Sequence, residues 1–180
     1  MNIETHASKL DVIILYDSAR SGKRAKELCD RLGLQLAPNC KLNLNIWSLA
    51  ALQLLPGLAQ AAAREAKHAA LLVVSVNGGS TLPRTTRHCL DSCVREIRAA
   101  NGALMAQLHG ILKMNEELCP AYGCLRAIAR HAGVRFFSEV VELPANELDP
   151  PPDAIHDCVQ LSKSQWEVIL RRGVKPQRST

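Results

Sequence analysis

Two short runs carry the residue types that bind charge. The first, Asp17-Ser18-Ala19-Arg20-Ser21-Gly22-Lys23, sets hydroxyls, a glycine and cations side by side. The second, Asn77-Gly78-Gly79-Ser80-Thr81, is built from small residues that let backbone N–H groups approach a ligand closely. Such groups suit a phosphate or nucleotide-type anion, above all where the run opens a helix whose first N–H groups have no intrahelical partner. Ser18, Arg20, Ser21, Gly22 and Lys23, with Asn77, Gly78, Gly79 and Ser80, are therefore the candidate ligand-binding residues. Charge points the same way. Arg20, Lys23, Arg24 and Lys26 crowd a helix start, where the macrodipole disfavours each cation by about 0.3–1 kcal/mol. Glu27 and Asp30 offset part of that, and a bound phosphate would offset the rest. The competing account is that these long side chains reach into water, where screening makes the penalty small. The run is not a Walker A loop: Ser21-Gly22-Lys23 is followed by Arg24, and the earlier glycine of that motif is absent.

Other chemistry-bearing residues form no pattern of their own. His68, His88, His109, His131 and His156 are dispersed, and none stands with a nucleophile and a carboxylate as a triad would. His109, at the end of a predicted strand, could face a ligand crevice; the alternatives are a solvent-facing or a core-satisfied ring. The seven cysteines are odd in number and lie in apolar segments, which suits reduced, buried thiols. Cys89 and Cys93 would share a helix face, and Cys119 and Cys124 bracket Pro-Ala-Tyr-Gly, but neither pair has zinc-ligand spacing. No metal is expected.

The elements that must position the two runs follow from apolar periodicity. Val12 to Tyr16 is an unbroken, β-branched apolar run, the pattern of a strand buried on both faces. The turn 17–22 leads into a helix with Ala25, Leu28, Cys29 and Leu32 on its apolar face, and Gly33 is the expected left-handed stop. Pro38-Asn39 marks a turn, and Leu42 to Trp47 alternates as a strand nearer a sheet edge does. Pro56-Gly57 opens a helix through Ala69, and Ala70 to Val76 is a second fully apolar strand. Pro83 begins a helix bearing Leu90, Cys93, Val94 and Ile97, which Asn101-Gly102 ends. Ala103 to about Leu108 reads as a strand, with Gly110 in the turn beyond. A helix marked by Leu118, Leu125, Ile128 and Ala129, delayed by Pro120 and stopped at Gly133, precedes the strand Val134 to Val141.

Strands alternating with helix-length crossovers predict an α/β fold: a doubly wound, flavodoxin-like parallel sheet of about five strands in the order 2-1-3-4-5, with helices on both faces. Ligands of such sheets sit at the carboxyl ends of the strands, where the order reverses, which brings the turns after the first and third strands to one crevice. The domain spans residues 1–142. Residues 143–161, with Pro144 and Pro150-Pro151-Pro152, form a proline-rich linker. Residues 162–180 form a C-terminal helix around Trp166 with a basic tail, a candidate contact for a protein partner or a second copy.

Composition bounds the function. At 180 residues with 47% hydrophobic residues, the chain suffices for one sizeable core. A net charge of +5 is mildly basic and lacks the clustered stripe of a nucleic-acid binder, so no nucleic-acid partner is expected. The polar start MNIETHASKL has no secretory apolar region, and no apolar run is long enough to span a bilayer, so the expected location is cytoplasmic, with no membrane partner.

Two resemblances accompany these residues. Tyr16-Asp17-Ser18-Ala19-Arg20-Ser21-Gly22-Lys23-Arg24-Ala25 resembles the phosphate-binding loop of flavodoxins and flavin reductases, and Asn77-Gly78-Gly79-Ser80-Thr81-Leu82-Pro83 is similar to the second flavin loop of the reductases. That likeness implies FMN as cofactor and an FMN-dependent oxidoreductase: Ser18, Ser21 and Gly22 would hold the phosphate, Asn77 to Ser80 would border the ring, and Trp47 could stack on it. Arg24 stands where a hydroxyl is usual, and the second loop lacks an aromatic residue. The layout from Asp11 to Gly79 also resembles Toll/interleukin-receptor-type signalling domains, which work through domain contacts and some of which cleave NAD with a glutamate. Asp91 and Glu96, the nearest acids, do not fall clearly at that place. The leading expectation is a small binding or signalling module with an anion site at the first strand–helix junction; the alternative is the FMN enzyme.

Overall fold

The computed structural model describes residues 8–36, 40–111 and 119–141. The expected turn at Pro38-Asn39, the linker 143–161 and the helix 162–180 with Trp166 lie outside them.

The strands β1 (Ser8–Tyr16), β2 (Cys40–Ser48), β3 (Leu71–Asn77), β4 (Ala103–His109) and β5 (Arg135–Val141) form one sheet in the order β2-β1-β3-β4-β5. Every neighbouring pair is parallel. This is the doubly wound, flavodoxin-like topology that the alternating pattern implies. The three central strands are mostly apolar because both of their faces are covered, with Ser75 in β3 and Gln107 in β4 as buried polar exceptions. In β1, Ile13 and Leu15 enter one core while Val12 and Ile14 enter the other. The edge strand β2 carries the Leu42-Asn43-Leu44-Asn45 alternation, since it has a strand neighbour on one side only and its residues 42–45 are half-buried.

Of the described helices, α1 (Ala19–Leu36) lies on one face, where Ala25, Leu28, Cys29 and Leu32 meet Leu71, Val73 and Met105. The other face carries α2 (Leu49–Leu54), α3 (Pro56–Ala66), α4 (Arg84–Ala99) and α5 (Pro120–Ala132). Ala62 and Ala66 of α3, both fully buried, belong to the core of that face. Asn101 takes the left-handed conformation after α4 (φ 55°), and Gly133 takes it after α5 (φ 70°).

Four local expectations are corrected. Gly33 does not stop α1. The helix continues to Leu36, which packs on the core of that face, and a Cβ at Gly33 would meet only Leu42 Cδ1 at 3.6 Å. The first turn is shorter than 17–22, because α1 already begins at Ala19 and includes Ser21, Gly22 and Lys23. The first strand reaches back to Ser8, since the longer β2 offers partners from Cys40 onward. Finally, α2 was not anticipated; its six residues are too few for a periodic signal, yet Leu49 and Leu52 are both buried.

The glycines give a direct test. Gly33→Ala should stabilise the fold by about 0.5–1 kcal/mol, because a helix-interior glycine is replaced with ordinary contacts only. Gly102→Ala should destabilise it by about 1–3 kcal/mol, because the new Cβ would lie 2.4 Å from Ile97 Cγ1 and 2.9 Å from the Ala69 carbonyl oxygen. Urea unfolding of both variants checks the pair of signs.

Candidate functional site

Parallel register brings the ends of β1, β3 and β4 to one rim. There a cleft of about 340 Å³ is lined by Asp17, Ser18, Arg20, Ser21, Asn77, Ser80, His109 and Gly110. Five of the nine sequence candidates, Ser18, Arg20, Ser21, Asn77 and Ser80, therefore share a cleft. Gly22, Lys23, Gly78 and Gly79 do not line it. Gly22 is buried under the Tyr16 ring, where a Cβ would lie 3.0 Å from Cδ2, and Lys23 is exposed on α1. Gly78 is wedged between Ile111 and Cys119, whose thiol donates to the Gly78 carbonyl at 3.0 Å. Its lack of a side chain therefore serves packing. Trp47, the candidate for ring stacking, also stands apart: its indole Nε1 donates to Glu65 Oε2 on α3 at 2.9 Å.

The hydrogen bonds within the two runs explain how the rim is built. Ser18 caps α1: its Oγ accepts from the Ser21 N–H at 3.2 Å, and the Ser21 Oγ accepts from the Ser18 N–H at 3.0 Å. This is a reciprocal capping box with serine in the place usually held by glutamate. Gly22 N–H donates to the Ser18 carbonyl at 2.9 Å, as a helix interior requires. In the second run, Gly79 N–H donates to Asn77 Oδ1 at 2.9 Å, Ser80 N–H to the Asn77 carbonyl at 3.2 Å, and Gly78 N–H to the His109 carbonyl at 2.8 Å. Asp17 joins the runs. Its Oδ1 accepts from the Ser21 hydroxyl and its Oδ2 from the Asn77 N–H, both at 2.7 Å. The backbone donors of Ser21, Gly22, Asn77, Gly78, Gly79 and Ser80 thus have partners inside the protein, and a carboxylate stands among them.

The cations are also distributed differently from the simple picture of a crowded helix start. Lys26 pairs with Asp30 at 2.7 Å and Arg24 lies 3.8 Å from Glu27, both on the exposed side of α1. Only Arg20 of the four lines the cleft.

Two further side chains line the cleft: Asp17, which the candidate set lacked, and His109, whose place at a strand end allowed it to face the crevice. Asp17 bounded the first run in sequence but was assigned no role, and its signal was its place directly after a central strand. His109 ends β4 opposite Asn77 in register, and it is 8% exposed. Its Nε2 lies 2.7 Å from the Ser75 Oγ. Burial holds its pKa below the ordinary histidine value; Asp17 opposes this, and Arg24 and Arg20 add to it.

The acids weighed for NAD cleavage lie elsewhere. Asp91 pairs with Arg95 at 2.7 Å along α4, and Glu96 faces Arg64, Lys67 and His68 of the α3 region. The six described cysteines are free thiols, and burial pushes Cys29 up to about 12. Among the described residues, no group of three or more His, Cys, Asp or Glu side chains is placed to hold a metal ion, and no helix is long and apolar enough to cross a membrane.

No protein-family model matches the sequence, and no curated protein matches it. Among solved structures, the chain is similar to an azoreductase from Bacillus anthracis str. Sterne, with 12% identity, 74% of this chain and 86% of that chain covered, and a TM-score of 0.47.

Two measurements check this geometry. Ser18→Ala should cost about 1 kcal/mol of stability in denaturant unfolding, because it removes the side-chain acceptor at the start of α1. Lowering the pH from 6.5 to 5.5 should destabilise the wild type more than His109→Asn. The unfolded histidine takes up a proton in that window while the folded one, with its lowered pKa, resists it.

Proposed function

We propose that this chain is a small binding module whose cleft at the β1/β3 switch point takes a nucleotide-type ligand. The observation that carries this reading is that an acceptor and a cation, Asp17 and Arg20, line the same cleft. A bare phosphate would meet the Asp17 carboxylate, which already occupies the donors of Ser21 and Asn77. A sugar phosphate avoids that conflict: its hydroxyls donate to Asp17 while its phosphate lies toward Arg20 and the start of α1. The volume lies at the small end of the range of about 300–1,000 Å³ typical of ligand pockets. Ser80 supplies a further hydroxyl. No reaction is assigned.

A second reading, an FMN-dependent oxidoreductase, is favoured by the position of the cleft, since flavodoxin holds FMN at the same switch point. Against it stands the lining, in which no Phe, Tyr or Trp ring occurs among the described residues, with Trp47 committed to Glu65. A signalling role through domain contacts, with residues 162–180 around Trp166 as the contact, is compatible with nucleotide binding and is proposed with it.

Calorimetric titration with adenosine 5′-monophosphate, adenosine triphosphate, FMN and inorganic phosphate tests these readings. The expected outcome is nucleotide binding that weakens at least tenfold in Arg20→Glu and stays within twofold in Lys23→Glu, whose side chain lies off the cleft. Absence of heat and of any thermal shift with every ligand at millimolar concentration overturns the proposal. Tight FMN uptake with flavin absorbance would replace it by the second reading.

A further inference from the structure

Behind the cleft runs a row of buried polar side chains that ligand binding as described above does not use. Ser75, Gln107 and Glu139 stand opposite one another across β3, β4 and β5, exposed by only 0%, 1% and 3%. The Gln107 Nε2 donates to Glu139 Oε2 over a long 3.4 Å, and Arg31 of α1 lies 3.8 Å from the other Glu139 oxygen. A carboxylate beside a guanidinium only accepts, so it orients the Gln107 amide with NH₂ toward Glu139 and Oε1 toward Ser75.

The orientation propagates. Ser75 Oγ lies 2.8 Å from Gln107 Oε1 and 2.9 Å from the Ser21 carbonyl oxygen, and both of these groups only accept. The single hydroxyl hydrogen of Ser75 is therefore committed to that side. Its remaining neighbour, His109 Nε2 at 2.7 Å, must supply the hydrogen of the bond between them. A neutral imidazole has one N–H, so Nδ1 keeps a lone pair. Every buried side-chain nitrogen and oxygen among the described residues has a partner, and Nδ1 has none, so it sits on the open side of a ring that lines the cleft.

We infer that Ser75 and Gln107 hold His109 as the Nε2–H tautomer and present Nδ1 to the cleft as a fixed hydrogen-bond acceptor, so that the site selects a ligand offering it an O–H or N–H. The ligand class rests on the nucleotide reading, where a ribose hydroxyl or an exocyclic amine is the donor; the tautomer does not. The charged groups whose fields reach the ring are Asp17 from the end of β1 and Arg20 and, from outside the cleft, Arg24 of α1, with Glu139 of β5 beyond Gln107. Burial and the two arginines keep the ring neutral at pH 7, which the acceptor role requires. Ser75 and Gln107 are positioning residues.

Long-range ¹H–¹⁵N correlation spectra of the full chain, labelled on histidine, decide the matter at pH 7.5. The expected spectrum shows His109 with a protonated Nε2 and a lone-pair Nδ1, and Ser75→Ala shifts it toward a mixture of tautomers. A predominant Nδ1–H form or an imidazolium in the wild type overturns the inference, whether or not the variant folds. On addition of adenosine 5′-monophosphate the Nδ1 resonance should move upfield, as a lone pair accepting a hydrogen bond does. Binding without that movement also overturns the inference. Absence of binding counts against the nucleotide reading, and the spectrum of the free protein then decides the tautomer alone.

Discussion

The Asp17 carboxylate is the joint on which the rim of this sheet depends. One oxygen takes the Ser21 hydroxyl at the start of α1 and the other takes the Asn77 N–H at the end of β3. A charged acceptor bonded to two donors of different elements ties a helix start to a neighbouring strand. Its own N–H reaches the Ser75 carbonyl at 3.3 Å, so the residue is held from the backbone as well. The cleft exists because these two ends are drawn together while β4 ends beside them at His109.

The same joint changes what the cleft can recognise. Backbone N–H groups in tight turns are attractive anion donors only while they lack partners, and those of Ser21, Gly22 and Asn77 to Ser80 have partners within the chain. The hydroxyls that resemble a phosphate loop act instead as a helix cap, and the glycines Gly22 and Gly78 make room for Tyr16 and for Ile111 with Cys119. What remains facing the cleft is a mixture of acceptor, cation, hydroxyl and imidazole. That mixture favours a ligand with both donors and negative charge over a simple anion.

The row Ser75, Gln107 and Glu139 places three polar side chains in the interior. Burying such groups unpaired would cost about 1–3 kcal/mol each, so the pairing must be complete. Completing it leaves few choices of proton position, and the choice reaches the cleft through His109. A polar row that could have been a defect therefore orients a side chain at the site.

Periodicity in the sequence marked the five strands and their crossovers, and the rule for doubly wound parallel sheets supplied the order β2-β1-β3-β4-β5. Two-face burial writes continuous apolar runs such as Leu71 to Val74, and parallel neighbours need helix-length connections. Local signals also marked the ends of α4 and α5, because Asn101 and Gly133 tolerate the left-handed backbone. They misled at Gly33, where the helix runs on to Leu36, and they were too short to reveal α2. The site itself was only half legible. Ser18, Arg20, Ser21, Asn77 and Ser80 could be named from composition and placement, since both runs follow central strands. Which donors were already taken was decided by tertiary structure alone. Asp17 meets Asn77 across 60 positions and Ser75 meets His109 across 34, and such pairs arise from strand register and side-chain direction, which no local stretch of residues encodes.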